Sequence, residues 1–359
     1  MKQIAIYDST LRDGAQAQGI SYSVDDKVKI VEKLDALGVH YIEAGNPGSN
    51  PKDLEFFERV RGMKLKNAKL IAFGATCKVG VRPEDDGNVR SILAAGTEAV
   101  AIFGKSWDYQ VTGILRTKLD ENLRMIGDTL RYLKQQGKEV VYDAEHFFDG
   151  YKANPDYALA TLTAAADAGA DCLCLCDTNG GTFPSDIFAI TQKVVAQFRT
   201  PIGIHCHNDC EMAVANSVMA VQAGATQVQG TINGIGERCG NANLCSIIPD
   251  LQLKLGYECI PPQNMATLTT VARAVSDIAN MPHNEKAAYV GADAFAHKGG
   301  MHVDAVVKNP VSYEHIDPDL VGNSRRTLMS EVAGRSTLLA RIQAVDPAIG
   351  KDSPETKKI

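Results

Sequence analysis

The chain has 359 residues, 45% of them hydrophobic, with a formal net charge of −6. That acidic balance, without a basic stripe interleaved with aromatics, argues against nucleic acid as a partner. No apolar run approaches the roughly 20 residues of a membrane span, and no signal-peptide pattern precedes the first strand, so no membrane role is expected.

Short apolar runs alternate with helical stretches from the start. "IAIY" is followed by an amphipathic segment near residues 25–37, and "HYIEAG" by "NPKDLEFFERV". "KLIAFGAT" precedes "PEDDGNVRSILAA", "EAVAIFG" precedes "DENLRMIGDTLRYLKQQG", and "EVVYDAE" precedes "NPDYALATLTAAADAG". "DCLCLCDT" precedes "PSDIFAITQKVVAQF", "PIGIHCHND" precedes "EMAVANSVMAVQAG", and "TQVQGTING" precedes "NANLCSIIPDLQLKLG". Gly38, Gly137, Gly169 and Gly224 stand where helices should stop. Helix openings carry Asp, Asn, Ser or Pro, as helix starts require.

Strands alternating with helices imply a parallel sheet. Eight such pairs in about 250 residues suit an α/β fold of the closed (β/α)8 type. The alternative, an open doubly wound sheet, lacks its G-x-G-x-x-G after the first strand. The barrel is expected over 1–256, with "YECIPPQN" (257–264) as a linker because two prolines break any helix. Residues 265–359 read as a small α-rich C-terminal subdomain. The final "DSPETKKI" reads as a helix start capped by Ser353 with Pro354 first, so the natural chain is expected to continue.

Nine cysteines, odd in number and without a disulfide-scaffold spacing, indicate a reduced, cytoplasmic chain. Cys172, Cys174 and Cys176 fall on one strand face. They are read as small residues packing a buried strand, since alternate strand residues stand too far apart and too parallel for three of them to close round one ion.

In such a barrel chemistry gathers at the C-terminal ends of the strands. After strand 1 come Arg12, Asp13 and Gln16, although chain neighbours such as Arg12 and Asp13 usually point apart. Strand 7 ends in "HCHND", whose His205 and His207 are two apart and face one side. The glycine-rich loop "NGIGERCGN" after strand 8 closes on Asn241. Asp13, His205, His207 and Asn241 form an N/O ligand set for one divalent ion, with Mg, Mn, Zn and Co all admissible. Positions left open on the ion imply that water or substrate binds it.

Together "DSTLRDGAQ", "HCHND" and "GIGERCGN" resemble the DRE-TIM metallolyases. The resemblance covers nearly the whole chain. Within that superfamily it points to the synthases that condense acetyl-CoA with 2-oxo acids to isopropylmalate, homocitrate or citramalate. "YIEAGNPGSNPKDLEFF" is most similar to the citramalate branch. The resemblance implies that Asp13 ligates the metal while Arg12 reaches the 2-oxo acid and stabilises the developing alkoxide. It gives Thr178 of "CDTNG" the substrate carboxylate and Glu145 of "YDAEHFF" a place in the substrate pocket, with Gln16 a further substrate contact. Glu145 shares its parity with Asp143 and Val141, which turns it inward, whereas His146 turns away and is read as structural. In "HKGGMHVDA" the family pattern selects His302 over His297 as the base for the acetyl methyl group, with Tyr313 as its partner. Such pairs often come from the other protomer, which implies a homodimer.

Cys239, inside "GERCGN", is read without a catalytic role. Pyruvate is the expected acceptor, with 2-oxoisovalerate and 2-oxoglutarate as alternatives. A metal-dependent lyase or aldolase on the same barrel, or a sensor binding metal and a small acid without turnover, also remains open. The chain ends before an amino-acid-binding regulatory domain would fit, so feedback inhibition is not expected.

Overall fold

The computed structural model describes residues 2–328 and, beyond them, 339, 342, 343, 346, 348–350, 353 and 354. Eight parallel strands close in sequence order into a barrel. They are β1 (Ala5–Asp8), β2 (Tyr41–Gly45), β3 (Lys69–Ala75), β4 (Ala99–Lys105), β5 (Glu139–Glu145), β6 (Cys172–Asp177), β7 (Ile202–Cys206) and β8 (Gln227–Gly230). Closure is made by β1 on β8, with Ala5 opposite Gln227 and Asp8 opposite Gly230. The open-sheet alternative is thereby excluded.

The intervening helices are α1 (Val24–Leu37), α2 (Pro51–Arg59), α3 (Gly87–Ala94), α4 (Leu119–Gln135), α5 (Phe147–Ala153), α6 (Pro155–Asp167), α7 (Pro184–Gln197), α8 (Ala213–Gln222) and α9 (Leu244–Pro249). Helix α1 shows how the sequence sets these bounds. Ser23 caps it in a reciprocal box with Asp26, worth about 1 kcal/mol, and Gly38 ends it at φ 98°. Ile30, Val31, Leu34 and Leu37 lie buried at helical spacing against the barrel. Helix α5 was not expected from the sequence. It starts at His146, whose φ of 57° turns the chain sharply off β5.

Tyr7, Ile71, Ala99, Ala101, Val141, Cys172, Cys174 and Cys176 form one buried cluster, so the period-2 cysteines do pack the strand. The three thiols do not form one ligand group, although two of them approach a carboxylate. Ligand atoms of Asp143, Cys174 and Cys176 lie within 4.8 Å of one another. What opposes thiolate ligation is burial, which drives the Cys174 thiol well above its usual range.

The segment 257–264 is not a free tether. Glu258 bridges Gln3, donating its N–H to Lys2 O at 3.1 Å and accepting from Ile4 N at 2.8 Å, which satisfies backbone groups beside β1. The chain divides into one unit of 1–264 and 271–282 and another of 265–270 and 283–359, so α10 (Leu268–Ile278) is shared between the two. The described part of the second unit holds α11 (Gly300–Lys308) and a parallel pair, β9 (Ala296–His297) with β10 (Arg326–Thr327). Ser353 is described, its Oγ accepting from Gly350 N at 2.8 Å, whereas the helix expected after Pro354 lies outside the described residues. Among the described residues no helix is long and apolar enough to cross a membrane.

Candidate active site

A cavity of about 300 Å³ opens at the C-terminal mouth of the barrel. Arg12, Asp13, Gln16, Glu145, Thr178, His205 and His207 all line it. A larger surface groove, about 630 Å³, runs past residues 60–70 and 95–98 before β3 and β4, at the barrel's other end, and holds none of these groups.

Arg12 and Asp13, chain neighbours of a kind that usually point apart, do meet. Arg12 Nη1 lies 3.2 Å from Asp13 Oδ2. The reason is local: Asp13 has helical φ and ψ of −70° and −41° as the chain enters a single 3₁₀ turn, so successive side chains fan out round the turn rather than alternate. Arg12 is further fixed by Glu43, with Nε to Oε2 at 2.5 Å, and its guanidinium carbon lies 3.9 Å from the Phe73 ring centroid. Glu43 also accepts from Tyr7 OH at 2.7 Å and from Ser9 Oγ. This fully buried carboxylate was missed in the sequence, where a lone charge inside the apolar "YIEAG" was the available signal.

Asp13, His205 and His207 bring their ligand atoms within 4.8 Å of one another, all buried. Asp13 Oδ2 stands 3.5 Å from His205 Nε2 and 3.8 Å from His207 Nε2, and the two Nε2 atoms are 3.4 Å apart. Burial alone would raise the Asp13 carboxyl. The Arg12 charge and the His205 hydrogen bond outweigh it and hold the group well below the usual carboxylate range. Burial, reinforced by His205, lowers His207 to about 4, so its imidazole is neutral at pH 7.

Asn241 reaches the same mouth through an antiparallel bridge with His207. Its Nδ2 donates to Ile235 O at 3.2 Å, leaving Oδ1 buried without a partner. Asp13 Oδ1 and His207 Nδ1 are likewise buried and unpartnered. Buried polar atoms normally find partners. A carboxylate oxygen and an amide oxygen left bare beside two imidazoles make a donor set that fits a divalent cation. The glycines of "GIGERCGN" make this loop possible. A Cβ on Gly236 would stand 2.1 Å from Asn241 Nδ2, and one on Gly240 would stand 2.0 Å from Gly234 O.

The other expected residues reach the mouth with partners already in place. Glu145 pairs with Lys105 across β4 and β5, a partner the sequence did not single out. Thr178 Oγ1 accepts from His146 N at 2.8 Å, which leaves its O–H free to donate. Gln16 is exposed at the rim. Arg238 ties three loops together, bonding Asp209 Oδ1 at 2.8 Å and Thr178 O at 2.7 Å. His146 turns toward Gln110 and Asp149, as expected of a structural histidine, and Cys239 is exposed. In the second unit the His302 and Tyr313 rings lie with centroids 4.3 Å apart, tilted by 31°, and Tyr313 is half exposed. His297 bonds Glu314 at 3.0 Å and so has a structural partner.

A closed parallel barrel with one carboxylate and two imidazoles at its C-terminal mouth has the build of a metal-assisted barrel enzyme. Residues 3–275 match the HMGL-like family, and the chain belongs to it. Residues 289–356 match the homocitrate synthase post-HMGL domain-like family. The (R)-citramalate synthase of Aquifex aeolicus is 56% identical over 359 residues, which is 100% of this chain and 68% of that protein. The (R)-citramalate synthase of Geobacter sulfurreducens is 53% identical over the same span, again 68% of its length. Among solved structures, a Bacillus subtilis HMG-CoA lyase superposes with a TM-score of 0.66 at 19% identity, covering 79% of this chain and 96% of that one, which speaks for the fold alone.

Proposed function

We propose that this protein is an acyltransferase that condenses acetyl-CoA with pyruvate to give citramalate and free coenzyme A. The observation that carries the reading is identity above one half, along the whole chain, to proteins named (R)-citramalate synthase. The mouth supports it residue by residue.

In this reading Asp13, His205, His207 and Asn241 hold a divalent metal. When bound, the metal supplies Lewis-acid polarisation of the keto carbonyl. Thr178, with its free O–H, and Gln16 bind the carboxylate of the 2-oxo acid. Arg12 is held rigid by Glu43 and Asp13, and among the described residues its Nη2 makes no hydrogen bond. Those open N–H groups face the charge that builds on the keto oxygen, a preorganised contribution of about 3 kcal/mol. Glu145, held by its pair with Lys105, orders the pocket where the acetyl group must sit.

His302 takes a proton from the acetyl methyl group onto an imidazole nitrogen, with Tyr313 packed on its ring. The resulting enolate carbon forms the new bond to the keto carbon, and the carbonyl electron pair moves onto oxygen, where it is later protonated. Water then cleaves the thioester, releasing coenzyme A as a thiol. The reading includes a homodimer in which His302 and Tyr313 serve the partner's barrel.

The test is thiol release from acetyl-CoA, with divalent metal supplied, against pyruvate, 2-oxoisovalerate and 2-oxoglutarate in parallel. Pyruvate should give the highest kcat/KM, with citramalate as product. Thiol release with a larger acid alone would replace the acceptor, and none with any acid would overturn the reading.

A further inference from the structure

Two buried polar side chains that take no part in the chemistry above are joined to one of its ligands. Asp143 on β5 and Gln229 on β8 are distant in the strand order, yet Gln229 Nε2 donates to Asp143 Oδ1 at 2.9 Å across the barrel interior. The other end of the amide, Oε1, lies 3.0 Å from His205 Nδ1. Gln229 is 0%, Asp143 4% and His205 5% exposed, so water does not complete the chain for them.

The direction of each bond follows from what the groups can do. An ionised carboxylate accepts only, so the amide must turn its NH₂ toward Asp143. Its oxygen then faces the imidazole, and an amide oxygen also only accepts. Whenever the His205 ring carries a single proton, that proton is thereby placed on Nδ1. The lone pair is left on Nε2, the atom 3.5 Å from Asp13 Oδ2 and 3.4 Å from His207 Nε2. Without this arrangement the imidazole has a competing choice. It can carry its proton on Nε2 and donate to Asp13, which occupies both the lone-pair position and the carboxylate oxygen. Packing alone gives no reason for such a pair, because burying a carboxylate and an amide costs more than burying apolar groups of the same shape.

We propose that Asp143 and Gln229 are positioning residues that fix His205 in its Nδ1–H tautomer and so raise the affinity of the barrel mouth for a divalent metal. The proposal rests on the reading of Asp13, His205 and His207 as metal ligands. Partners of this kind hold ligand rings in place, and their removal commonly costs 10–100-fold in metal affinity.

The experiment has two arms on the full chain. The first is a ¹⁵N-histidine correlation spectrum of the metal-free protein, with the His205 signals assigned by their loss in His205→Ala. The second is Mn²⁺ titration followed by EPR. Wild type should show the Nδ1–H pattern. Gln229→Met should mix or reverse it and weaken Mn²⁺ binding by about 10–100-fold. Gln229→Glu, protonated toward Asp143, can reproduce both bonds and should restore the tautomer and most of the affinity. Should Gln229→Met fail to fold, Asp143→Ala tests the same link, since it frees the amide to turn. A merely structural role would lower thermal stability while leaving the tautomer and Mn²⁺ affinity of the folded protein unchanged, and that result overturns the inference. If wild type binds no Mn²⁺ the ligand reading fails, whereas the tautomer arm still decides whether the relay exists.

Discussion

Glu43 Oε2 and Arg12 Nε stand 2.5 Å apart, with Glu43 fully buried on β2 and Arg12 in the loop after β1. This pair anchors one side of the guanidinium so that its opposite side can serve both Asp13 and substrate. Removing one partner of a buried ion pair typically costs about 3–5 kcal/mol, because the other charge is stranded. Glu43→Gln should therefore lower unfolding stability by that order and reduce kcat by at least about tenfold. Urea unfolding and thiol-release kinetics check it, and near-wild-type values in both would remove Glu43 from the account.

Asp13→Ala and His207→Ala should each abolish stoichiometric metal. Both side chains are buried and carry an unpartnered atom at the mouth. Metal analysis after dialysis against a weak chelator reads this directly. Full occupancy with undiminished turnover in either variant contradicts the ligand assignment.

Gly236→Ala tests Asn241 without touching it. The added Cβ must displace Asn241 Nδ2, 2.1 Å away. Mn²⁺ affinity should drop severalfold while the circular dichroism spectrum stays that of the barrel. Unchanged affinity would show that Asn241 does not contribute a ligand.

Asp8 gives a pH signature. It is fully buried at the end of β1, and burial pushes its carboxyl up to about 7 against the bonds it accepts from Thr10. The folded state keeps a proton that the unfolded chain loses near the ordinary carboxylate value. The stabilisation is complete below that value and is lost as pH rises through 7. Asp8→Asn should flatten stability between pH 4 and 7, removing a slope of at most about 1.4 kcal/mol per pH unit. Urea titrations across that range measure it, and an identical slope in the variant would count against the assignment.

His302→Ala should lower kcat by about 10²–10⁴-fold, the usual scale for a lost general base, with Mn²⁺ affinity within twofold of wild type. A variant that keeps its kcat would send the search for the base elsewhere.

Much of this architecture was legible because it follows local periodicity. Alternating strands and helices, glycine stops such as Gly38 and the two-residue spacing of His205 and His207 are short-range properties. The unread parts depend on closure. Glu43 reaches Arg12, and Asp143 reaches Gln229, only once strands far apart in sequence face one interior. Arg12 and Asp13 meet although chain neighbours usually point apart, because a helical turn, not an extended segment, carries them. Lys105 beside Glu145 was equally hidden, since register between β4 and β5 decides it.

The thiols packed inside the barrel carry a last consequence. Seven of the nine cysteines are buried, and Cys210 and Cys239 alone are exposed. A maleimide reagent should therefore label two positions at once and the remaining seven only when the fold around them opens. The slow phase of that labelling would time the opening of the folded chain, with no probe introduced.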